Sequence, residues 1–156
     1  MSKPQSPSLT IKRKLKAPAE KVFAAWTRPE ALKHWFGPSD DYAILVADVD
    51  ARVGGRYRIV MQKPQEEEHR VAGVYKEIVA NRKLVFTWAW ESTPERESLV
   101  TVDIKPEDGG CVLTLTHERF FDEAARDRHR GGWTGSMERL ERYLGKEPSA
   151  TKGAPT

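Results

Sequence analysis

Cysteine occurs once in this chain of 156 residues, at Cys111, so no internal disulfide can form and the fold must be held by its own packing. Long apolar runs are missing as well. No stretch approaches the roughly 18 to 20 consecutive apolar residues that a bilayer-spanning helix requires, and no basic segment followed by an apolar run and a small-residue cleavage site opens the chain. These absences predict a soluble cytoplasmic protein without membrane insertion. An excess of charge of one sign is also lacking, since 26 Lys and Arg face 23 Asp and Glu. The short basic clusters Lys12-Arg13-Lys14 and Arg126 to Arg130 carry no interleaved aromatics that could stack on bases, so nucleic acid is not an expected partner.

Catalytic signatures are equally sparse. The chain has no G-x-S-x-G elbow, no P-loop, no G-x-G-x-x-G after a strand and no H-E-x-x-H pair. One Cys and four scattered His give none of the paired spacings of a zinc site. The sequence therefore assigns no catalytic residue, no metal and no cofactor, and leans away from an enzyme. Glu66-Glu67-Glu68 and Asp40-Asp41 read as exposed loop charges.

What the chain does have is enough apolar residue, 38%, to build one ordinary globular core. Polar, Pro-containing ends over residues 1–8 and 146–156 read as flexible, leaving a single domain over residues 9–145. Leu9 to Leu15 alternates apolar and basic residues, a strand with Leu9, Ile11 and Leu15 on one face. Arg13 shares that face, and its spacing alone suits an edge residue whose head reaches water. Pro18 suits the first position of a short helix carrying Val22, Phe23 and Trp26. Thr27-Arg28-Pro29-Glu30 has the form of a capping box, opening a second helix with Leu32, Trp35 and Phe36 that Gly37-Pro38 ends. An exposed patch at Trp35 and Phe36 would offer a homodimer contact.

From Tyr42 to His117 the period changes to two, with turn signals between short strands, the pattern of an antiparallel meander. Tyr57, Ile59 and Met61 share one face, as do Val100, Val102 and Ile104, and Leu113, Leu115 and His117. The inward faces of Tyr42 to Asp48 and Val71 to Val79 stay open. KLVFTWAW places Leu84, Phe86, Trp88 and Trp90 on one bulky face; Phe86 suits the core, while Trp88 and Trp90 fit either a core or a cavity wall. Asp122 can cap a last helix of roughly 23 residues, about 34 Å long. Its stripe of Trp133, Met137, Leu140 and Leu144 would cover that face. Gly131-Gly132 inside it signals close packing or a local break, or else missing side chains that widen a cavity mouth gated by Trp133.

This α+β order of strand, two short helices, a meander of about six strands and a long terminal helix resembles the helix-grip fold, START-like or Bet v 1-like. The segments LTIKRKLKAPAEKVFAAWTRPEALKHWFGP, DARVGGRYRIVM, GVYKEIVANRKLVFTWAW and HERFFD with RGGWTGSMERLERYL make the resemblance more specific. They look like the single-domain family related to the C-terminal domain of the Hsp90 ATPase activator Aha1, in the START-like (SRPBCC) superfamily, over about residues 8 to 145. The resemblance implies a curved antiparallel sheet wrapped around the C-terminal helix, with a cavity between them for an apolar molecule. Its implied cavity lining is Arg13, Tyr57, Met61, Trp88, Trp90, His117, Trp133 and Met137, with Arg13 and His117 turned inward.

Three functions follow as expectations. The first is noncatalytic binding of a small hydrophobic or amphipathic molecule, its polar end oriented by Arg13 or His117. The second is a cyclase- or aromatase-like enzyme in the same cavity, with a His or Tyr moving protons. The third, ranked last, is a module that stimulates a chaperone ATPase. His117 and His129 suit an acid and a base, or else a hydrogen-bonded structural residue at His117 and a solvated one at His129 amid Arg126, Arg128 and Arg130; His34 and His69 read as surface residues.

Overall fold

The computed structural model describes residues 7–146. Along the chain run β1 (Leu9–Leu15), α1 (Ala19–Thr27), α2 (Pro29–Trp35), β2 (Ala43–Val49), β3 (Arg56–Gln62), β4 (His69–Val79), β5 (Lys83–Trp90), β6 (Ser98–Glu107), β7 (Gly110–Glu118) and α3 (Glu123–Lys146). The flexible ends expected over 1–8 and 146–156 fall outside the described residues, apart from Pro7, Ser8 and Lys146. Pro7 is tied in, its carbonyl accepting the Phe120 N–H at 3.2 Å.

All seven strands join one antiparallel sheet in the order β1-β7-β6-β5-β4-β3-β2. Strands β2 to β7 meander, and β1 closes the far side by pairing Leu9 with His117 through to Leu15 with Cys111. Period-two alternation becomes one-sided burial: Cys111, Leu113, Leu115 and His117 of β7, and Val100, Val102 and Ile104 of β6, are all buried. The face left open in β4 resolves to Val71 and Tyr75. β2 stays partly exposed along its length, as suits an edge strand, and its register with β3 shifts between Ile44 and Val46.

A break in the β4–β5 ladder shapes the interior. A Cβ on Gly73 would lie 1.9 Å from the Thr87 carbonyl oxygen and 2.7 Å from the Tyr57 ring, so only glycine lets these groups meet. The Thr87 carbonyl instead accepts the Tyr57 hydroxyl at 2.6 Å, and the Thr87 hydroxyl oxygen accepts the Val74 N–H at 2.9 Å. Burial raises the Tyr57 phenol well above its ordinary value, with Tyr75 and Glu97 adding to the shift, so the hydroxyl stays a donor.

The two short helices form a unit whose logic starts at a proline. Pro18 stands just before α1, one position earlier than expected. The capping box does not form, because α1 continues through Thr27, whose hydroxyl donates to the Phe23 carbonyl at 2.9 Å. Arg28 takes the N-cap position without a side-chain bond, and Pro29 opens α2. Since Pro29 has no N–H, the Ala25 carbonyl has no helical donor, and the Trp35 indole supplies one at 3.0 Å. Trp35 and Phe36 are thereby drawn inside, 0% and 4% exposed, so the aromatic patch suggested for a homodimer does not exist.

α3 begins as its sequence indicates, with the Asp122 carboxylate accepting the Ala125 N–H at 2.8 Å. It runs unbroken through Gly131-Gly132 for 24 residues. Trp133, Met137, Leu140 and Leu144 are all buried against the sheet and short helices.

Candidate functional site

The apolar interior is nearly full at the end where α1 and α2 pack. Trp26 lies 4.8 Å from Trp35 and 6.5 Å from Phe86, ring centre to ring centre. Only about 20 Å³ of free space remains among Trp26, Leu32, Phe36, Tyr57, Tyr75, Phe86 and their neighbours. At the other end, where β3, β4 and β5 meet the first half of α3, a cavity of about 340 Å³ opens to solvent. Its walls come from Phe36, Gly37, Pro38 and Tyr42 of the α2–β2 connection and from Met61, His69, Trp88 and Trp90 of the sheet. Arg128, His129, Gly132, Trp133 and Ser136 of α3 complete it.

Two imidazoles hold those walls. The Trp133 N–H donates to His117 Nδ1 at 2.9 Å. An indole nitrogen can only donate, so the proton of neutral His117 sits on Nε2, which donates to the Ser98 hydroxyl oxygen at 2.7 Å. Ser98 in turn donates to the Trp88 carbonyl at 3.1 Å. His129 has the opposite tautomer. Its Nε2 accepts the indole N–H of both Trp88 and Trp90, each at 3.2 Å, while Nδ1 donates to the Ala125 carbonyl at 2.7 Å.

Both rings are held neutral. Burial, with His129 nearby, brings His117 down to about 2. Burial also lowers His129, a shift the Ala125 carbonyl opposes and the Arg128 charge reinforces. Neither imidazole has a free nitrogen, so as arranged neither can serve as a general base. A smaller cavity of about 160 Å³ lies along the same Trp88–Trp90–His129 wall, next to Phe120 and Phe121.

Arg139 fixes the opposite rim. Its guanidinium donates to the Phe36 carbonyl at 2.8 Å and to the Gly37 carbonyl at 3.3 Å, and it pairs with Asp40 at 3.1 Å. These bonds cap the C-terminal end of α2 and hold Phe36 to Pro38 against α3. Contact there is tight: a Cβ on Gly135 would lie 2.0 Å from the Pro38 carbonyl oxygen.

Of the residues expected to line a cavity, Met61, Trp88, Trp90 and Trp133 line this one. Tyr57 lines the small inner space. His117, 0% exposed, and Met137, 1% exposed, lie in the packed interior. Arg13 pairs with Glu141 at 3.2 Å across β1 and α3. Sequence reasoning passed over Tyr42, Arg128 and Ser136, and left His129 between an acid–base role and a solvated residue. A signal for His129 was present: the stripe Trp133, Met137, Leu140 extends backward by fours to His129 and Ala125, which places that histidine on the inward face.

The family described as Activator of Hsp90 ATPase homolog 1-like protein matches residues 16–145. Among solved structures, one protein from Chromobacterium violaceum is 26% identical with a TM-score of 0.80, over 88% of this chain and 96% of that one. The AHSA1 protein from Silicibacter pomeroyi is also 26% identical with a TM-score of 0.80, over 90% of this chain and 99% of its own. A Rhizobium leguminosarum protein is 28% identical with a TM-score of 0.76, over 92% and 97% of the two chains. No curated protein matches the chain in sequence.

Proposed function

The chain belongs to the family of Activator of Hsp90 ATPase homolog 1-like proteins, and from that premise we propose that it binds a small hydrophobic or amphipathic molecule, without turnover, in the cavity between β3–β5 and α3. The observation that carries this reading is the cavity's construction. About 340 Å³ of space is walled by aromatic rings whose indole N–H groups are already satisfied by His117 and His129. A guest meets preset apolar surfaces and a few polar groups, the ordinary recipe of a small-molecule site. The closed hydrogen bonds of both histidines support binding over proton-transfer chemistry.

Comparison of native and denatured masses of gently purified protein would detect a retained small molecule. Titration of tryptophan fluorescence with aromatic and acyl compounds would follow. The expected result is a saturable response that Trp90→Ala abolishes while the far-ultraviolet dichroism stays intact. A protein that responds to none of them sinks the reading. The family match also favours a chaperone-directed role, which stimulation of a chaperone ATPase by the ligand-free protein would support.

A further inference from the structure

Three residues on α3 line the cavity at spacings of four: Arg128, Gly132 and Ser136. They therefore form one row on the helix, spanning about 12 Å from first to last. Its middle member has no side chain. A Cβ at Gly132 would meet only Pro38 Cβ, at 3.9 Å, so packing does not demand glycine there, unlike Gly135 three residues on. A glycine inside a helix weakens it relative to alanine. Here it leaves a trough between a cation and a hydroxyl.

The two ends of the trough are unengaged. Ser136 is 4% exposed, yet its hydroxyl makes no hydrogen bond among the described residues. Among the described residues only the Trp26 N–H is both sealed from solvent and without a partner, so the Ser136 oxygen still reaches the cavity. Arg128 stands exposed at the mouth and pairs with no carboxylate among the described residues, whereas Arg126 pairs with Asp127 at 2.9 Å and Arg139 with Asp40 at 3.1 Å. Of the acidic groups on the adjoining sheet side of the mouth, Glu68 pairs with Arg70 at 2.8 Å and Glu91 with Arg58 at 2.6 Å, whereas Arg128 keeps its charge for a guest.

We propose that the ligand is an elongated, ring-bearing or acyl monoanion, its carboxylate, sulfonate or phosphate held by Arg128 at the mouth, its apolar body lying over Gly132 between Trp90 and Trp133, and a polar atom at its inner end meeting the Ser136 hydroxyl. This assignment rests on the binding reading above and adds to it a charge, a direction and a length. Gly132 sets the specificity, because any side chain there fills the trough.

A matched pair of dyes tests it. The probes are 8-anilinonaphthalene-1-sulfonate and N-phenyl-1-naphthylamine, which differ only by the sulfonate. The sulfonate should bind about tenfold more tightly than the neutral dye, the scale of one partly exposed charge-assisted hydrogen bond. Arg128→Gln should remove that advantage and leave the neutral dye unchanged. Gly132→Ala should weaken both dyes while raising the thermal midpoint, and Gly131→Ala, whose added methyl touches nothing within 4 Å, should raise the midpoint without altering affinity. Equal binding of the two dyes, with Arg128→Gln silent, overturns the anionic assignment but leaves the binding reading standing. Binding indifferent to Gly132→Ala overturns the trough alone, and no binding of either dye overturns the cavity reading with it.

Discussion

The two ends of the groove use the same residue in different ways. At the closed end Trp26 and Trp35 pack edge to face in a nearly dry interior, Trp35 bonded to a backbone carbonyl and the buried Trp26 N–H left without a partner. At the open end Trp88, Trp90 and Trp133 all donate to imidazole nitrogens. The carbonyl bond ties α2 only to α1, ten residues back in the chain. The imidazole bonds tie elements far apart in sequence, β5 to α3 and α3 to β7. The closed end is thus held by filling space, and the open end by directed bonds that keep a cavity from collapsing onto its own walls.

The sharpest way to break this comparison is at the contact that holds the open end together. Gly135→Ala forces a methyl into the Pro38 carbonyl and should cost about 3 kcal/mol or more, read from urea denaturation, because backbone rather than a flexible side chain must yield. A loss below about 1 kcal/mol would show that α3 is loosely docked there.

Acid is the next lever. The unfolded chain takes up a proton on histidine near pH 6.5, whereas folded His117 resists protonation down to about 2. The unfolded state therefore binds more protons in this range. The stability His117 contributes is complete above about pH 6.5 and is lost below it at up to about 1.4 kcal/mol per pH unit. His129, lowered in the same direction, steepens the fall. Denaturation midpoints measured from pH 7.5 to 4.5 should drop, and His117→Gln, which retains a donor and an acceptor, should flatten the profile. An unchanged slope would mean that His117 is not held neutral.

The smallest effect compares the two tryptophans of the closed end. Trp35→Phe strands the Ala25 carbonyl that Pro29 already leaves without a helical donor, whereas Trp26→Phe deletes an N–H that has no partner. Trp35→Phe should be the costlier by about 1 kcal/mol in equilibrium unfolding. Equal costs would remove the indole bond from the account of how α1 and α2 are joined.

Period and punctuation made most of the architecture legible. Two-residue alternation marked the inward faces of β3, β5, β6 and β7, and the Asp122 cap and the Trp133 to Leu144 stripe marked α3. The misses have local causes. Thr27 had two possible partners, and the carbonyl four residues back won over the capping box. His129 stayed undecided because Arg126, Arg128 and Arg130 surround it in sequence. The division between Gly132, which packing could do without, and Gly135, which Pro38 requires, rests on a loop more than ninety residues earlier in the chain. No spacing within α3 could have revealed it. Met61, Trp88, Trp90 and Trp133 were found because bulk at alternating or helical positions must face something. Arg128 and Ser136 were not, since their role depends on partners they lack.

The sheet order leaves two open rims, and each is unfit for growth. Lys12 and Lys14 of β1 are exposed, and β2 breaks its register between Ile44 and Val46. A strand arriving at either rim would meet exposed lysines on one side or a kinked ladder on the other, the usual defences against polymerisation by strand addition. The fold can thus keep an open aromatic chamber at one end without offering its sheet as a template for aggregation.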